Sequence, residues 1–294
     1  MTNTYIGIDV GKTKVAIGLV NHNGNVISSY SAPRSEIKDP EAILQYCFNT
    51  IEGIIKNSKE KPKAIGIGTL GVVDPSKGVV IKSSVWVNFN MAEIFEKRFG
   101  LRTYVTNDVR AAALGEYMFG SSRGSQLSVY LTISTGVSFC TIENGNIVNG
   151  SHFIAGQIGP LKIYENGSTL ESKFSGRGIE EYAADLSKRA ASTEEVFKLA
   201  YKDSASPHSK VVKEAVHNAA AAVAIIQNTV DPDIIVVGGS VANNQPKFIE
   251  EVKVQAEKIL GPYIVQFPKG LNIVHSSLGK DSGVIGAACL AMHE

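Results

Sequence analysis

Tyr5-Ile-Gly-Ile-Asp-Val-Gly-Lys-Thr-Lys14 is a short apolar strand that runs directly into a glycine turn. A second strand at 15–20 follows at once, and Asn23-Gly24 predicts a tight hairpin turn before a third strand at 26–30. We therefore expect the chain to open with an antiparallel meander.

The same order of strands recurs in the second half of the chain. A strand at 127–133 runs into Ser134-Thr-Gly136, a strand at 137–142 pairs back, and Asn144-Gly145 makes another hairpin turn. This recurrence predicts an internal duplication, and strands that alternate with helices predict an α/β fold. Helical spacing of apolar residues places helices at about 40–57, 91–99, 111–118, 178–189, 193–201, 207–229 and 281–292.

The composition excludes several classes of protein. The 294 residues carry 29 Lys and Arg against 28 Asp and Glu, a net charge of +1 that offers no basic field for nucleic acid. No apolar run approaches the ~20 residues that span a bilayer, and the N-terminal stretch lacks the features of a secretory signal. The three cysteines are far apart and form neither a disulfide framework nor a zinc knuckle. We therefore expect a cytoplasmic protein without nucleic-acid or membrane partners.

The turn after the first strand is a candidate phosphate site. Gly11 exposes backbone N–H groups, and Thr13 and Lys14 add a hydroxyl and a cation, which suits an oxyanion. Asp9 is a candidate Mg²⁺ ligand, directly or through water, because hard cations take oxygen ligands. The alternative is an ordinary β-turn with a solvated lysine. A Walker A loop is excluded, because GxxxxGK[ST] is absent and a strand follows the turn.

Two further glycine turns are weaker candidates. Ser134-Thr-Gly136 corresponds to the first turn in the repeated order and suits the other side of one nucleotide's phosphates. Val236-Val-Gly-Gly-Ser240 is an apolar strand that ends in two glycines, which let a flat ring or a phosphate approach the backbone. For both turns the alternative is a plain connecting loop.

Asn107-Asp108 ends a predicted strand and starts a predicted helix. One interpretation makes Asp108 the N-cap of that helix. The other makes its carboxylate the acceptor of a proton from a substrate hydroxyl, as the base in phosphoryl transfer must be. The sequence leaves both interpretations open.

Several motifs, which together cover nearly the whole chain, resemble one family. They are Asp9-Val-Gly-Lys-Thr-Lys14, Gly66-Ile-Gly-Thr-Leu-Gly-Val-Val-Asp74, Thr106-Asn-Asp-Val-Arg-Ala-Ala-Ala-Leu-Gly-Glu116, Leu131-Thr-Ile-Ser-Thr-Gly136, Ala155-Gly-Gln-Ile-Gly159, Leu170-Glu171, Ser175-Gly-Arg-Gly178, Val237-Gly-Gly239 and Gly283-Val-Ile-Gly-Ala-Ala-Cys-Leu-Ala291. In this combination the chain resembles the ROK family (repressors, open reading frames and sugar kinases), a branch of the actin-like, ribonuclease-H-like ATPases. The resemblance implies two α/β ribonuclease-H-like lobes with a cleft between them. The first lobe would comprise 1–118 and 281–294, and the second would comprise 119–280.

The resemblance also implies a reaction, the transfer of the γ-phosphate of ATP to a sugar hydroxyl, usually the one on C6. Asp108 would be the general base of this reaction, and Asp9 would hold Mg²⁺, directly or through water. The positions that match sugar ligands are Asn107, Gly71, Glu171 and Gln157. The positions that match ATP- and phosphate-binding loops are Asp9, Gly11, Lys12, Thr13, Lys14, Thr135, Gly136, Gly238 and Gly239. ATP and Mg²⁺ are the implied cofactors, and a homodimer is the implied assembly.

The sugar site departs from the family pattern. Many members read Glu-x-Gly-His before a zinc-binding loop of cysteines, whereas this chain reads Gln157-Ile-Gly-Pro160 and has no Cys or His at 161–169. We expect no zinc site, since tetrahedral zinc takes N and S ligands. The lost bonds to hydroxyls at the C1–C2 side of a hexose weaken discrimination there by roughly 1–3 kcal/mol each. We therefore expect a β-glucoside such as cellobiose as substrate, as in the zinc-less β-glucoside kinases that this chain resembles.

Other functions stay open at this point. Glucose, N-acetylmannosamine and fructose are alternative acceptors within the same family. The residues at 157, 160 and 137–140, which differ from the family pattern, also fit a catalytically silent sugar sensor. A DNA-binding repressor is disfavoured, because the first phosphate-loop strand begins at about residue 5 and leaves no room for a helix-turn-helix module.

Overall fold

The computed structural model describes residues 3–58, 61–262 and 270–293. The chain divides into two compact units: unit 1 contains 1–124, 145–155 and 277–294, and unit 2 contains 125–144 and 156–276. The predicted lobes differ from these units in three segments, 119–124, 145–155 and 277–280, which belong to unit 1. No helix in the described part of the chain is both long and apolar enough to cross a membrane.

The elements follow one another in a mixed α/β order. The strands are β1 (Thr4–Val10), β2 (Lys14–Asn21), β3 (Val26–Pro33), β4 (Ile65–Thr69), β5 (Val72–Asp74), β6 (Val79–Lys82), β7 (Val87–Asn90), β8 (Thr103–Asn107), β9 (Leu127–Ile133), β10 (Val137–Glu143), β11 (Asn146–Ile147), β12 (Ile234–Gly238) and β13 (Ile273–His275). The helices are α1 (Pro40–Asn57), α2 (Met91–Phe99), α3 (Asp108–Phe119), α4 (Glu171–Phe174), α5 (Gly176–Ser187), α6 (Thr193–Lys202), α7 (Pro207–Val230), α8 (Ser240–Asn244), α9 (Pro246–Leu260) and α10 (Ser282–His293).

Unit 1 contains a five-stranded sheet in the order β3-β2-β1-β4-β8. Its first three strands form the predicted antiparallel meander, and β4 and β8 run parallel to β1. Because parallel strands point the same way, the carboxyl ends of β1, β4 and β8 lie at one edge of the sheet. A core of buried aliphatic side chains from β1, β4 and α1 holds these strands; its members include Ile6, Ile8, Ile43, Ile51, Ile65 and Ile67.

Helix α10 packs directly on the backbone of this sheet, which confirms the prediction that the C-terminal helix returns to the first part of the chain. Glycines make the close approach possible. A Cβ at Gly66 on β4 would lie 1.7 Å from the carbonyl oxygen of Ala287, and a Cβ at Gly7 on β1 would lie 2.0 Å from that of Val284. No side chain fits at either position unless the helix moves away.

The segments 119–124 and 277–280 join unit 1 because a buried carboxylate binds their backbone. Glu116 is fully buried near the end of α3. Its Oε2 accepts hydrogen bonds from the N–H groups of Ser121 and Ser277, at 2.8 and 3.3 Å, and its Oε1 accepts one from Leu278 N–H at 3.1 Å. These long-range bonds have no signature in the local sequence.

Unit 2 contains β10, β9, β12 and β13 in that order, with β10 antiparallel to β9 and with β12 and β13 parallel to it. This order repeats β2-β1-β4-β8 of unit 1, as the predicted duplication requires. The core beneath this sheet is dominated by α7, whose alanine-rich stretch is almost completely buried.

Two predicted helix starts are wrong for the same reason. Helix α3 begins at Asp108 instead of 111, because Asn107 is its N-cap. Helix α5 begins at Gly176 instead of 178, because the Ser175 hydroxyl accepts a hydrogen bond from Gly178 N–H at 3.1 Å. In both cases a polar side chain satisfies a backbone N–H of the first turn and extends the helix.

Candidate active site

The candidate catalytic residues lie at the carboxyl edge of the unit 1 sheet. Asp9 is the penultimate residue of β1 and pairs with Gly68 of β4, and Thr69 at the end of β4 pairs with Asn107 at the end of β8. Asp108 follows as the first residue of α3. Unit 1 thus brings together the predicted metal ligand, sugar ligand and base.

Asn107 fixes the junction between β8 and α3. Its Oδ1 accepts a hydrogen bond from Val109 N–H at 3.0 Å, which makes Asn107 the N-cap. Its Nδ2 donates to the carbonyl oxygen of Gly71 at 3.0 Å. The interpretation of Asp108 as the N-cap is therefore wrong: Asp108 is already inside the helix, although its Oδ1 also lies 3.0 Å from Val109 N.

Two half-buried carboxyls at this edge have raised pKa values. The pKa of Asp108 is raised to about 7, chiefly by burial and next by the charge of Asp9, against the opposing effects of Val109 N–H and the Lys12 ammonium. The pKa of Asp9 is raised to about 6 by burial, against the opposing charge of Lys14. A carboxyl whose pKa lies near neutrality is suited to accept a proton from a hydroxyl during a reaction at pH 7.

Glycines create the space that these two carboxyls occupy. A Cβ at Gly283, in the first turn of α10, would lie 2.2 Å from Asp9 Oδ2. A Cβ at Gly68 would lie 2.9 Å from the Cβ of Ala111 and 3.4 Å from the Cα of Asp108. The start of α3 and the start of α10 therefore approach the strand ends only because these positions lack side chains.

The turn between β1 and β2 carries the predicted phosphate-binding groups. Gly11 N–H donates to the carbonyl oxygen of Lys14 at 3.0 Å, which closes the turn, and Lys12, Thr13 and Lys14 are exposed. Two ammonium groups and a hydroxyl thus stand at the surface beside Asp9. This set fits an oxyanion, and the Asp9 carboxylate fits Mg²⁺, which binds one or two carboxylates and takes its other ligands from phosphate and water.

A polar atom that sequence reasoning missed lies in the same place. Thr69 Oγ1 is fully buried and has no hydrogen-bond partner in the described part of the chain, although buried hydroxyls are normally paired. Asn107 Nδ2 lies 3.4 Å from the carbonyl oxygen of the same Thr69. Gly71, two residues on, has φ 97°, and a Cβ there would lie 2.3 Å from Lys82 O, so this turn requires glycine.

In unit 2 the predicted nucleotide loops meet around Ser134. Its N–H donates to Gly136 O at 2.9 Å, its carbonyl accepts from Gly176 N–H at 2.7 Å, and its hydroxyl lies 3.0 Å from that of Ser240. Gly239 has φ 94°, and a Cβ there would lie 2.6 Å from Ile133 O. Three loops that are distant in sequence, around 135, 176 and 239, therefore form one site.

A pocket of about 200 Å³ opens between these loops. Its lining includes Thr135, Gly176, Glu180, Thr193, Ser240 and Asn244. Glu180 Oε1 accepts hydrogen bonds from the N–H and the hydroxyl of Thr193, at 2.8 and 2.7 Å, so one wall of the pocket is rigid. Hydroxyls, amides and a fixed carboxylate suit the ribose and base of a nucleotide.

In another part of unit 2, Glu171 lies against Gly159, two residues after Gln157. Glu171 N–H donates to Gly159 O at 3.0 Å, and a Cβ at Gly159 would lie 2.6 Å from Glu171 Oε2. That Oε2 also accepts a hydrogen bond from Val137 N–H at 3.3 Å. Part of the hydrogen-bonding capacity of Glu171 is therefore used to hold the start of β10. Half-buried Gln157 precedes Gly159 by two residues.

The segment 161–169 forms a short antiparallel turn. Leu170 N–H donates to Leu161 O at 2.9 Å, and Lys162 pairs with Thr169. The described residues contain no group of three or more His, Cys, Asp or Glu that could hold a metal ion.

Comparison with known proteins matches this chain to one family. Residues 5–294 match the ROK family. The glucokinase of Streptomyces coelicolor is 26% identical over 314 residues, which cover 97% of this chain and 96% of the relative.

Solved structures agree with this match. The ROK hexokinase from Thermus thermophilus superposes with a TM-score of 0.83 at 26% identity, over 98% of this chain and 97% of that one. The ROK family glucokinase from Streptomyces griseus, in complex with glucose and AMPPNP, has the same fold, with a TM-score of 0.85 at 24% identity over 99% and 100% of the two chains.

Proposed function

This chain belongs to the ROK family, and on that premise we propose that it is an ATP-dependent sugar kinase. The observation that carries the proposal is the pair formed by Asp9 and Asp108, with pKa values raised to about 6 and about 7, at a sheet edge beside a cationic turn. One carboxyl then accepts a proton while the other holds a cation, which are the two tasks that phosphoryl transfer to an alcohol requires.

Asp108 is the general base. It takes the proton of the sugar hydroxyl as the oxygen forms a bond to the γ-phosphorus, the bond from that phosphorus to the bridging oxygen breaks, and ADP leaves. Asn107, bonded to Val109 N–H and Gly71 O, holds the backbone from which Asp108 extends. Asp108 is thereby fixed in direction, which is the larger part of catalysis when the protein supplies positioning rather than covalent chemistry.

The two nucleotide regions have separate tasks. In unit 1, Gly11, Lys12, Thr13 and Lys14 bind phosphate oxygens, and Asp9 holds Mg²⁺, which supplies neutralisation of phosphate charge when bound. In unit 2, the pocket beside Ser240 binds the adenosine. The residues of that region are Thr135, Gly136, Gly238 and Gly239.

We propose the 6-hydroxyl of a β-glucoside such as cellobiose as the acceptor. Glu171 and Gln157 contact the sugar on the side of C1, where Gln157 offers hydrogen bonds without charge and Pro160 offers no side-chain partner. A sugar with a group attached at C1 is therefore not rejected. Free glucose is the second candidate, favoured by the identity to a glucokinase over nearly the whole chain.

The test is ADP release with ATP, Mg²⁺ and a panel of glucose, N-acetylmannosamine, fructose, methyl β-glucoside and cellobiose. Wild type should turn over at least one β-glucoside, and Asp108→Asn should lose turnover by more than about a hundredfold while it still binds that sugar in calorimetry. The matched control is Asp185→Asn, at an exposed carboxyl of α5, which should keep full turnover. Sugar binding without turnover by wild type would identify a silent sensor, and the kinase proposal would fail.

The cytoplasmic location, the homodimer and the absence of nucleic-acid partners stay predictions of the sequence. The ADP-release test with the sugar panel does not depend on these three predictions.

A further inference from the structure

A carboxylate in the unit 2 pocket has one oxygen held by the protein and the other free. Glu180 Oε1 accepts hydrogen bonds from the N–H and the hydroxyl of Thr193, at 2.8 and 2.7 Å. The same hydroxyl lies 3.3 Å from Gly176 O, which ties the start of α6 to the start of α5. Glu180 Oε2 has no hydrogen-bond or ion-pair partner within the part of the chain that the structure describes. One acceptor of an oriented carboxylate is therefore available to a ligand.

The charges of the pocket lining favour an uncharged ligand that donates hydrogen bonds. The charged lining residues are Arg177, Glu180 and Glu194, and the Arg177 guanidinium already pairs with Glu181. Two carboxylates thus stand against one cation that is already paired, a balance that repels phosphate oxygens. A nucleoside carries no charge, and its hydroxyl groups form strong hydrogen bonds to an ionised carboxylate.

The position of Glu180 on α5 favours the ribose over the base. Gly176 N–H donates to Ser134 O at 2.7 Å, which places the first residue of α5 against the turn at 134–136, a proposed phosphate site. Glu180 follows Gly176 by four residues, so it lies on the same side of the helix and about 6 Å farther along it. In a nucleotide the ribose comes directly after the phosphates, and the base lies beyond it.

We propose that Glu180 selects ribonucleotides by accepting a hydrogen bond from a ribose hydroxyl of ATP. This inference rests on the proposed function and names the part of the nucleotide that the free oxygen contacts. A deoxynucleotide leaves Oε2 without that donor, and loss of a partner costs more at a charged group than at a neutral one. Thr193 is a positioning residue, because its two hydrogen bonds set the direction of the carboxylate.

The experiment measures calorimetric affinity for ADP, 2′-deoxy-ADP, 3′-deoxy-ADP and GDP. It also measures kcat/KM for the four triphosphates at a saturating concentration of a sugar that wild type phosphorylates. Wild type should prefer the adenine ribonucleotide over at least one deoxynucleotide by about tenfold or more, the effect of one hydrogen bond to a charged group. In Glu180→Ala this preference should fall to within about twofold. Because the readout is a ratio, a general loosening of the pocket affects all nucleotides and cancels.

The matched control is Glu181→Ala. Glu181 is the next residue of α5, is exposed, and bonds to Arg177 at the surface. An exposed ion pair of this kind contributes little, so this variant should keep the wild-type preference for the ribonucleotide. Thr193→Val keeps the N–H bond to Glu180 and loses the hydroxyl bond, so it should lower the preference by less than Glu180→Ala does.

The outcomes separate this inference from the proposed function. Equal affinity of wild type for ADP and both deoxynucleotides, or a preference that persists in Glu180→Ala, would overturn the role of Glu180. A changed ratio of ADP to GDP with an unchanged ribose preference would assign the carboxylate to the base and would also overturn it. Each of these results leaves the kinase intact while wild type still phosphorylates a sugar. If wild type binds no nucleotide, the proposed function itself fails.

Discussion

Gly283 lies against the carboxylate of Asp9, so closely that a Cβ at position 283 would stand 2.2 Å from Oδ2 and 2.5 Å from Cγ. The first turn of the C-terminal helix therefore limits where the proposed Mg²⁺ ligand can lie. This contact joins residues from opposite ends of the chain.

We predict that Gly283→Ala displaces the Asp9 carboxylate and lowers kcat about a hundredfold, because a misplacement near 1 Å has effects of that size. Binding of Mn²⁺, followed by electron paramagnetic resonance, should weaken in parallel. Gly53→Ala is the control: Gly53 lies inside α1 with no atom within 4 Å of the added Cβ, so that variant should gain about 0.5–1 kcal/mol of stability and keep its kcat. Normal Mn²⁺ affinity in Gly283→Ala would contradict the displacement.

The pH dependence of the reaction should report the base. Asp108 must be unprotonated to accept the hydroxyl proton, and its pKa is raised to about 7, so kcat/KM should rise with pH between about 6 and 8 and then level off. The Lys12 ammonium lowers that pKa, so Lys12→Met should move the midpoint to higher pH. Lys77→Met, at an exposed lysine 3.6 Å from Asp74, should leave the midpoint where it is. An unchanged midpoint in Lys12→Met would argue against Asp108 as the titrating group.

The buried Asp108 carboxylate should lower the free energy of unfolding at high pH. Its folded pKa of about 7 lies above the ordinary value of 3.8, so the folded chain retains a proton that the unfolded chain has released. The free energy of unfolding therefore has its full value below about pH 4, where Asp108 is protonated in both states, and it falls as the pH rises through about 7. Asp108→Asn should therefore be more stable than wild type at pH 8, by about 1–2 kcal/mol for a half-buried group, and equal to it near pH 4.

Asp74→Asn provides a control of opposite sign for that measurement. The pKa of Asp74 is lowered, chiefly by the hydroxyl of Ser76, so its carboxylate stabilises the folded chain at neutral pH. Urea unfolding at pH 8 should rank Asp108→Asn above wild type and Asp74→Asn below it. The reverse order would show that the pKa of Asp108 is not raised in the folded chain.

Removal of the buried Glu116 charge should destabilise unit 1. In Glu116→Gln an amide N–H₂ would face N–H donors of Ser121, Ser277 or Leu278, which leaves a buried group unsatisfied at a cost of about 1–3 kcal/mol. Urea unfolding should show the loss, whereas Glu143→Gln, at an exposed position of β10, should not. Equal midpoints for the two variants would mean that water replaces the lost acceptor.

Sugar preference should respond at the positions that depart from the family pattern. Gln157→Glu combined with Pro160→His restores a charge and a hydrogen-bonding ring on the side of C1. The ratio of kcat/KM for glucose to that for cellobiose should rise about tenfold, the effect of one charge-assisted bond. An unchanged ranking of the sugars would contradict the proposed role of Gln157 and Pro160 on the side of C1.

Much of this architecture follows from short stretches of sequence. The Asn23-Gly24 turn, the glycine at the end of α2 and the proline at the start of α1 are local signals, and the elements they bound lie where we predict them. The family resemblance rests equally on contiguous motifs, and residues 5–294 match that family. The sequence also determines that no Cys or His occupies 161–169.

Only the tertiary structure decided how the candidate site is supported. Asn107 is the N-cap of α3 because its Oδ1 accepts from Val109 N–H, and its Nδ2 is held by Gly71 O, which is distant in sequence. Arg110 fixes the loop 149–155 from a distance of about forty residues. Burial raises the pKa of both Asp9 and Asp108, and the charge of Asp9 raises that of Asp108 further. Local sequence sets backbone preferences over a few residues, whereas desolvation, charge coupling and close packing depend on which distant groups the folded chain brings within a few ångströms.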